Sequence, residues 1–409
     1  MTPPSLPTFD FDRAPFLVIW EVTRACALAC VHCRADAIPC RDPRELSTDE
    51  GIALLDQVRA FGDPPPLLVL TGGDPMRRPD LAAFVRHASE VGLTVALTPS
   101  GTAAATRKRL AELKDAGLSR VAVSLDGPDA ASHDSFRRVG GSYDWTMRII
   151  DGAMALGLPL QINTTISRMT LPSLEAMAAR VSQQPIALWA LFFLVQTGRG
   201  ASLEQVTPEE CERVLHYLYD LSLVSPFGIK TTEAPHYQRV VRQREAARER
   251  DGLPTRSVER RRQLRAPRSV NDGNGFVFVD HVGAICPSGF LPMPRGNVRT
   301  ADLCDVYRRD QAFRRLRNAD ALLGKCGRCE FREVCGGSRS RAFAATGALM
   351  ASDPLCLYDP GDEVRPVVPM FGPASTQSAM PASSTRFGSS SGAIGGAPLR
   401  ILSNQLAAG

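Results

Sequence analysis

The chain has almost no lysine, few aromatic rings and no long apolar run. Of its 48 basic residues 44 are arginine and four are lysine, set against 43 acids for a formal charge of +5. That bias fits codon composition better than a dedicated polyanion surface. Aromatic residues make up 6% of the chain. The densest basic stretch, Arg239 to Arg268, interleaves Arg242, Arg244, Arg248, Arg250 and Arg260 to Arg262 with glutamates and offers few rings for bases to stack on. A solvated helix or loop is expected there, and nucleic acid is not expected as a partner. The longest apolar stretch, Ile186 to Val195, is ten residues, too short for a membrane span. The opening Met-Thr-Pro-Pro-Ser-Leu-Pro lacks the basic and apolar regions of a signal peptide. A cytoplasmic protein without membrane contact is the expectation. Eleven cysteines in 409 residues are too dilute for a small disulfide scaffold, and an odd number cannot pair completely within one chain. Reduced thiols follow.

What is present suits a globular protein: 44% apolar and 22% charged residues. Short β-rich runs (Phe16 to Val22, Leu67 to Thr71, Leu93 to Thr98, Arg120 to Leu125, Leu160 to Ile166 and Leu188 to Val195) alternate with segments of helical apolar spacing. Two helix starts carry capping boxes, Ser47 with Glu50 and Thr207 with Glu210. Strands separated by helices imply a parallel α/β sheet, closed as a barrel or open and doubly wound, with its chemistry at the carboxyl ends of the strands. From about Asn271 glycines, prolines and six of the eleven cysteines mark a second, cysteine-rich module. The last 49 residues hold 27 Ser, Gly, Ala or Pro and too few large apolar groups to offset an ordering cost of roughly 1–2 kcal/mol per residue. A disordered tail is expected there.

Directly after the first strand stands Cys26-Ala-Leu-Ala-Cys30-Val-His32-Cys33, three thiols within eight residues. Such density calls for a metal or a redox pair. Structural zinc takes four ligands, with Cys40 a distant fourth here, whereas an iron–sulfur cubane held by three cysteines keeps one iron open to another ligand. The spacing and place of this run resemble the radical S-adenosylmethionine superfamily, over roughly Phe16 to Val195. The resemblance implies a partial (β/α)6 TIM-type barrel and a 4Fe-4S cluster on Cys26, Cys30 and Cys33. The open iron of that cluster would chelate S-adenosylmethionine, whose reductive cleavage yields a 5′-deoxyadenosyl radical that abstracts a substrate hydrogen.

Further motifs extend the resemblance. Thr71-Gly72-Gly73-Asp74-Pro75 is similar to the family's Gly-Gly-Glu-Pro segment, with Asp74 in place of Glu; it implies that Gly72, Gly73 and Asp74 hold the methionyl amine. His32 would lie against the adenine. Ser124 and Asn163, then Ser100 and Asp126, would contact the ribose and carboxylate. His133-Asp134 with Arg137 and Arg138 resembles a segment of the peptide- and tetrapyrrole-modifying branches, and a surface loop is an equal reading. Arg199, in Gln196-Thr197-Gly198-Arg199-Gly200, would grip a carboxylate or cap its strand.

Cys326-Gly-Arg-Cys329, Cys335 and Cys356 form a second thiol set. Alone it fits a zinc ribbon. Downstream of a radical SAM barrel it resembles the SPASM or twitch auxiliary domain, implying a second 4Fe-4S cluster on these four cysteines. Thr300 and Ala301 stand where a further cluster would need a thiol, so two clusters are expected, with Cys286 unassigned and Cys40, Cys211 and Cys304 plain thiols. The layout expected is an extension (1–14), the barrel (15–225), a basic linker or helical insert (226–270), the auxiliary module (271–359) and the tail (360–409). The second cysteine run is most similar to the tetrapyrrole branch that modifies haem and haem d1 side chains. The alternatives are a peptide maturase and a zinc-stabilised, non-catalytic binding protein. Partners implied are a small-molecule or peptide substrate and an electron donor such as flavodoxin or ferredoxin.

Overall fold

The computed structural model describes residues 9–256, 270–361 and Met370. Seven parallel strands stand side by side in chain order: β1 (Leu17–Glu21), β2 (Leu67–Thr71), β3 (Val95–Leu97), β4 (Leu118–Ser124), β5 (Leu160–Ile166), β6 (Leu188–Phe193) and β7 (Gly228–Thr232). Helices α1 (Thr48–Arg59), α2 (Leu81–Glu90), α3 (Arg107–Asp115), α4 (Ala130–Arg137), α5 (Ser142–Ala155), α6 (Leu174–Ser182) and α7 (Pro208–Val224) carry the crossovers, and α8 (His236–Arg250) follows β7. This is the parallel α/β arrangement of a partial barrel that the sequence implied. Both capping boxes are formed: Ser47 and Thr207 each accept from the third helical N–H, and Glu50 and Glu210 reach back to the cap. Each such cap is worth ~1 kcal/mol.

Alternation along the strands sorts two faces. Val18, Trp20, Leu68, Leu70, Val121, Val123, Trp189 and Leu191 join the helices in one continuous apolar core. Trp20 is wholly buried, its ring 4.8 Å from that of Phe84. The intervening positions face the inside of the barrel. They include small residues, Ala96, Ala122 and Ala190, that leave the interior open.

Two segments differ from expectation. Residues 226–270 are not only a basic insert: they supply β7, paired along its whole length with β6, and α8, which buries Tyr237, Val240 and Val241. Arg239, assigned to a solvated stretch by its neighbours' charges, is buried as well. The remainder of that stretch, 257–269, lies outside the described residues, as does the expected tail apart from Pro360, Gly361 and Met370. The cysteine-rich module also shares the barrel's sheet. Its strand β8 (Phe276–Val279) pairs in parallel with β1, and β9 (Ala284–Cys286) and β10 (Gly296–Asn297) follow antiparallel, making ten strands in all. Among the described residues no helix is long and apolar enough to cross a membrane.

A buried ion pair locks the module to the barrel. Arg341, in the helix Arg339–Thr346, lies 3.3 Å from Asp353 with both side chains wholly buried, and donates at 3.4 Å to the carbonyls of Phe193 and Leu194 at the end of β6. Asp353 also accepts from Ser338 N–H and lies 3.0 Å from His236 on α8. Burial alone would raise the Asp353 pKa, but Arg341 and His236 outweigh it and hold the carboxyl well below the usual range. Its contribution to stability is therefore present above the unfolded carboxylate pKa, about 3.9, and lost as pH falls below that value. Arg341→Met, which strands the buried carboxylate, is expected to cost about 3–5 kcal/mol in urea unfolding at pH 7, and the difference from wild type should shrink as pH is lowered through 4.

Candidate active site

The three-thiol run occupies a loop at the carboxyl end of β1, shaped by its own hydrogen bonds and by donors from the ends of other strands. A parallel bridge between Ala25 and Ile38 closes it, with Cys26 N–H donating to Ile38 at 2.8 Å. The turn after β2 lies directly beneath: Gly73 N–H donates to Thr23 O at 2.8 Å and Asp74 N–H to Ala25 O at 2.7 Å. A Cβ on Gly73 would stand 2.5 Å from Arg24 O and 2.6 Å from Ala25 O, so only glycine lets the two loops meet. One on Gly72 would stand 2.3 Å from Thr23 O. These glycines thus serve contact with the cysteine loop.

The turn after β6 grips the same loop from the far side. Arg199 donates from its backbone N–H to Cys33 O at 3.0 Å, from Nε to Cys30 O at 3.0 Å and from Nη1 to Ala37 O at 3.1 Å. Of the two readings its motif allowed, a carboxylate grip and a cap, the guanidinium geometry resembles the second, with the cysteine loop as the thing capped. Gly198 sits at φ +54°, where a Cβ would stand 2.4 Å from Arg34 O. From α4, Phe136 O accepts from Val31 N–H at 3.1 Å.

The sulfurs face hydrogen-bond donors. Cys26 Sγ accepts from Leu28 N–H at 3.3 Å and lies 3.6 Å from Ser100 Oγ; Cys33 Sγ accepts from Ala37 N–H at 3.5 Å; Cys30 Sγ accepts from Arg137 at 3.6 Å. Burial pushes the Cys26 thiol up, so loading a metal there must displace a proton. Arg137 also pairs with Asp126, which accepts from Thr165 N–H at 2.6 Å. The segment around His133 is therefore helix α4 and not a surface loop: His133 is buried, and its Nδ1 accepts from Asp126 N–H at 3.1 Å. His32 stacks on Phe136 with centroids 4.3 Å apart. Burial, helped by the Arg137 charge, brings its pKa down to about 3, leaving a neutral ring at pH 7.

The remaining expected contacts fall around this loop. Asp74 is buried and accepts from Met76 N–H at 3.2 Å, Ser100 N–H at 3.4 Å and Thr102 Oγ1 at 2.7 Å; burial raises its pKa against those bonds. Ser100 Oγ donates to Gly73 O at 2.6 Å. Ser124 and Asn163 are register partners on the inner face, where Asn163 Oδ1 accepts from Gln161 at 2.7 Å. Sequence reasoning passed over Arg34. It pairs with Glu21 at 2.9 Å and stacks 4.7 Å over Phe278, tying the cysteine loop to β8. Glu21 in turn lies 3.0 Å from His281. Gly198 was undervalued too, although its position beside a cation after a strand was a usable signal.

The second thiol set lines one pocket: Cys326, Cys329, Cys335 and Cys356, with His236, Arg239, Lys325 and Arg332 around them. Burial pushes the Cys335 thiol far up and the Cys356 thiol to about 12. Cys286 is buried on β9 opposite Phe278, Cys304 lies 3.5 Å from Gln57 O, Cys211 is buried in α7 and Cys40 is exposed. The polar surroundings of both sets suit bound groups. Unpartnered buried atoms stand beside the first (His32 Nδ1, Arg137 Nε, Arg199 Nη2) and the second (His236 Nδ1, Arg239 Nε, Arg332 Nε). Among the described residues no three His, Cys, Asp or Glu side chains are gathered closely enough to hold one metal ion, as a tetrahedral zinc would require.

The model of the radical SAM superfamily matches residues 20–178. The chain is 41% identical to the "AdoMet-dependent heme synthase" of Oleidesulfovibrio alaskensis, over 86% of this chain and 89% of that one. It is 29% identical to the "Fe-coproporphyrin III synthase" of Methanosarcina barkeri, over 87% and 90%. Among solved structures, Streptococcus suis SuiB bound to its precursor peptide SuiA matches with a TM-score of 0.64 at 15% identity, over 85% of this chain and 76% of that one; at that identity the likeness is one of fold. Gly198→Ala forces a side chain into the left-handed region at a cost of about 1–3 kcal/mol and against the cysteine loop. In metal-free protein it should raise the alkylation rate of Cys26 and Cys30 by roughly tenfold or more, measured by mass spectrometry.

Proposed function

Because this chain belongs to the radical SAM superfamily, we propose that it is a haem-pathway type of oxidoreductase that takes a hydrogen atom from a tetrapyrrole side chain, using S-adenosylmethionine. Cys26, Cys30 and Cys33 would hold the active 4Fe-4S cluster, and Cys326, Cys329, Cys335 and Cys356 an auxiliary one. Bound there, a reduced cluster supplies the electron that splits the sulfur–carbon bond of S-adenosylmethionine and so releases the hydrogen-abstracting radical. The observation that carries this reading is the clamped loop: three thiols aimed from the end of β1, held by Gly73, Asp74, Phe136 and Arg199.

The chain's own groups would do four things. Gly73 and Arg199 hold the thiols in place. Asp74 and Ser100, next to Cys26, would orient the methionyl end, Asp74 with the lone pairs its three donors leave free. His32, neutral and stacked, would present a flat face to the adenine, while Ser124 and Asn163 bind ribose or carboxylate from the inner sheet face. Arg137 balances the charge at Cys30 without itself reacting. The names of the relatives support the tetrapyrrole, and the second cysteine run supports the same branch; the fold likeness to a peptide-modifying enzyme does not by itself favour a peptide. A flavodoxin or ferredoxin would deliver the electron.

Anaerobic reconstitution followed by dithionite and S-adenosylmethionine tests this. Wild type should carry about eight irons and release 5′-deoxyadenosine. Cys30→Ala should abolish release, and Cys356→Ala should lower iron toward about four per chain while the first site stays loaded. Zinc in place of iron, or release unaffected in Cys30→Ala, would overturn the assignment.

A further inference from the structure

The inner face of the barrel carries two cations with no partner. In β4, Arg120 stands two and four positions before Ala122 and Ser124 and shares their face, because strand side chains alternate. In β7, Lys230 pairs in register with Ala190, which pairs with Asn163, which pairs with Ser124. Lys230 therefore projects from the same face as these inner residues, opposite Ile229, which is packed into the helix-side core. No ion pair or hydrogen bond from either cation exists among the described residues. Acids at the strand ends are engaged: Glu21 with Arg34 and His281, Asp126 with Arg137, and Glu233 with Ser338.

These cations are not ordinary surface charges. Lys230 is accessible to solvent yet surrounded by barrel wall, and desolvation, with the nearby Arg120 charge, lowers its pKa. Desolvation likewise lowers that of Arg120. Two like charges on one concave face, close enough for the Arg120 charge to act on Lys230, oppose one another, a cost that a bound anion would remove. Arginine offers a planar fork and lysine a mobile point charge, a combination suited to a carboxylate. The small neighbours Ala96, Ala122 and Ala190 leave room for one. The cysteine loop is built on β1, β2 and the turn after β6, so an anion held between β4 and β7 lies inside the barrel, below the rim where the thiols sit.

We propose that Arg120 and Lys230 form a carboxylate-binding pair that draws an acidic side chain of the substrate into the barrel. This rests on the tetrapyrrole reading above and narrows it to a substrate that bears free carboxylates. The methionyl carboxylate of S-adenosylmethionine is the other possible occupant, and the test separates the two.

The reconstituted full chain is titrated anaerobically with iron coproporphyrin III and with its tetramethyl ester, following absorbance, and separately with S-adenosylmethionine. Wild type should bind the acid more tightly than the ester. Lys230→Met and Arg120→Met should each weaken the acid by roughly tenfold or more, leaving the ester and S-adenosylmethionine unchanged. Arg120→Lys, which keeps the charge, should recover part of the loss. Variants that keep the wild-type preference, or a wild type that binds acid and ester alike, would refute the pair while leaving the tetrapyrrole reading intact. Weakened S-adenosylmethionine with unchanged porphyrin would assign the cations to the methionyl carboxylate and also refute it. A wild type that binds neither porphyrin form would contradict the tetrapyrrole reading itself, and this inference with it.

Discussion

A loop that carries three reactive sulfurs cannot hold its own shape, and the molecule's central constraint is the set of contacts that hold it from outside. Residues 26–38 contain no helix and only a single bridge at their root. The carbonyls of Thr23 and Ala25 at its root accept from Gly73 and Asp74, and those of Cys30, Cys33 and Ala37 within it accept from Arg199, so the donors come from the ends of two other strands. The loop therefore depends on the register of the whole parallel sheet: a shift at β2 or β6 would move the donors away. That dependence explains why small residues recur at strand ends here. A Cβ at Gly73 or Gly198 would fill space that the loop's backbone already occupies.

The same logic extends to the second module. It is not a separate bead on a linker, since β8 continues the barrel's sheet beside β1, and its side chains complete the barrel's electrostatics. Arg341 satisfies carbonyls at the end of β6, and His236 and Arg239 on α8 line the pocket of the four distal thiols. Arg239 is itself anchored to Glu212 at 2.5 Å on α7. The two thiol sets are thus positioned by one continuous framework, which suits chemistry that moves electrons between a substrate and two clusters.

Much of this was legible in the sequence because it rests on local rules. Cysteine spacing, strand-helix alternation and both capping boxes depend on residues near one another in the chain, and six of the seven barrel strands were visible as β-rich runs. What escaped depends on distant partners. β7, Gly-Ile-Lys-Thr-Thr, has too little apolar character to announce itself, and it is stabilised by its pairing with β6. Charge placed Arg239 in a solvated stretch and left a surface loop as an equal reading for Arg137, yet the first is buried and the second half-buried, because an acid from another element meets each. The motif glycines were recognised, but their immediate neighbour is the cysteine loop's backbone, a contact no local pattern encodes.

The central claim is that the clamped thiols leave one corner of a cluster open to S-adenosylmethionine. Electron–nuclear double resonance on the reduced, reconstituted protein with methionyl-15N-labelled S-adenosylmethionine tests it most directly. A nitrogen hyperfine coupling that appears on mixing and vanishes in Cys30→Ala is the result expected. A wild-type cluster whose spectrum ignores the labelled amine would contradict the account.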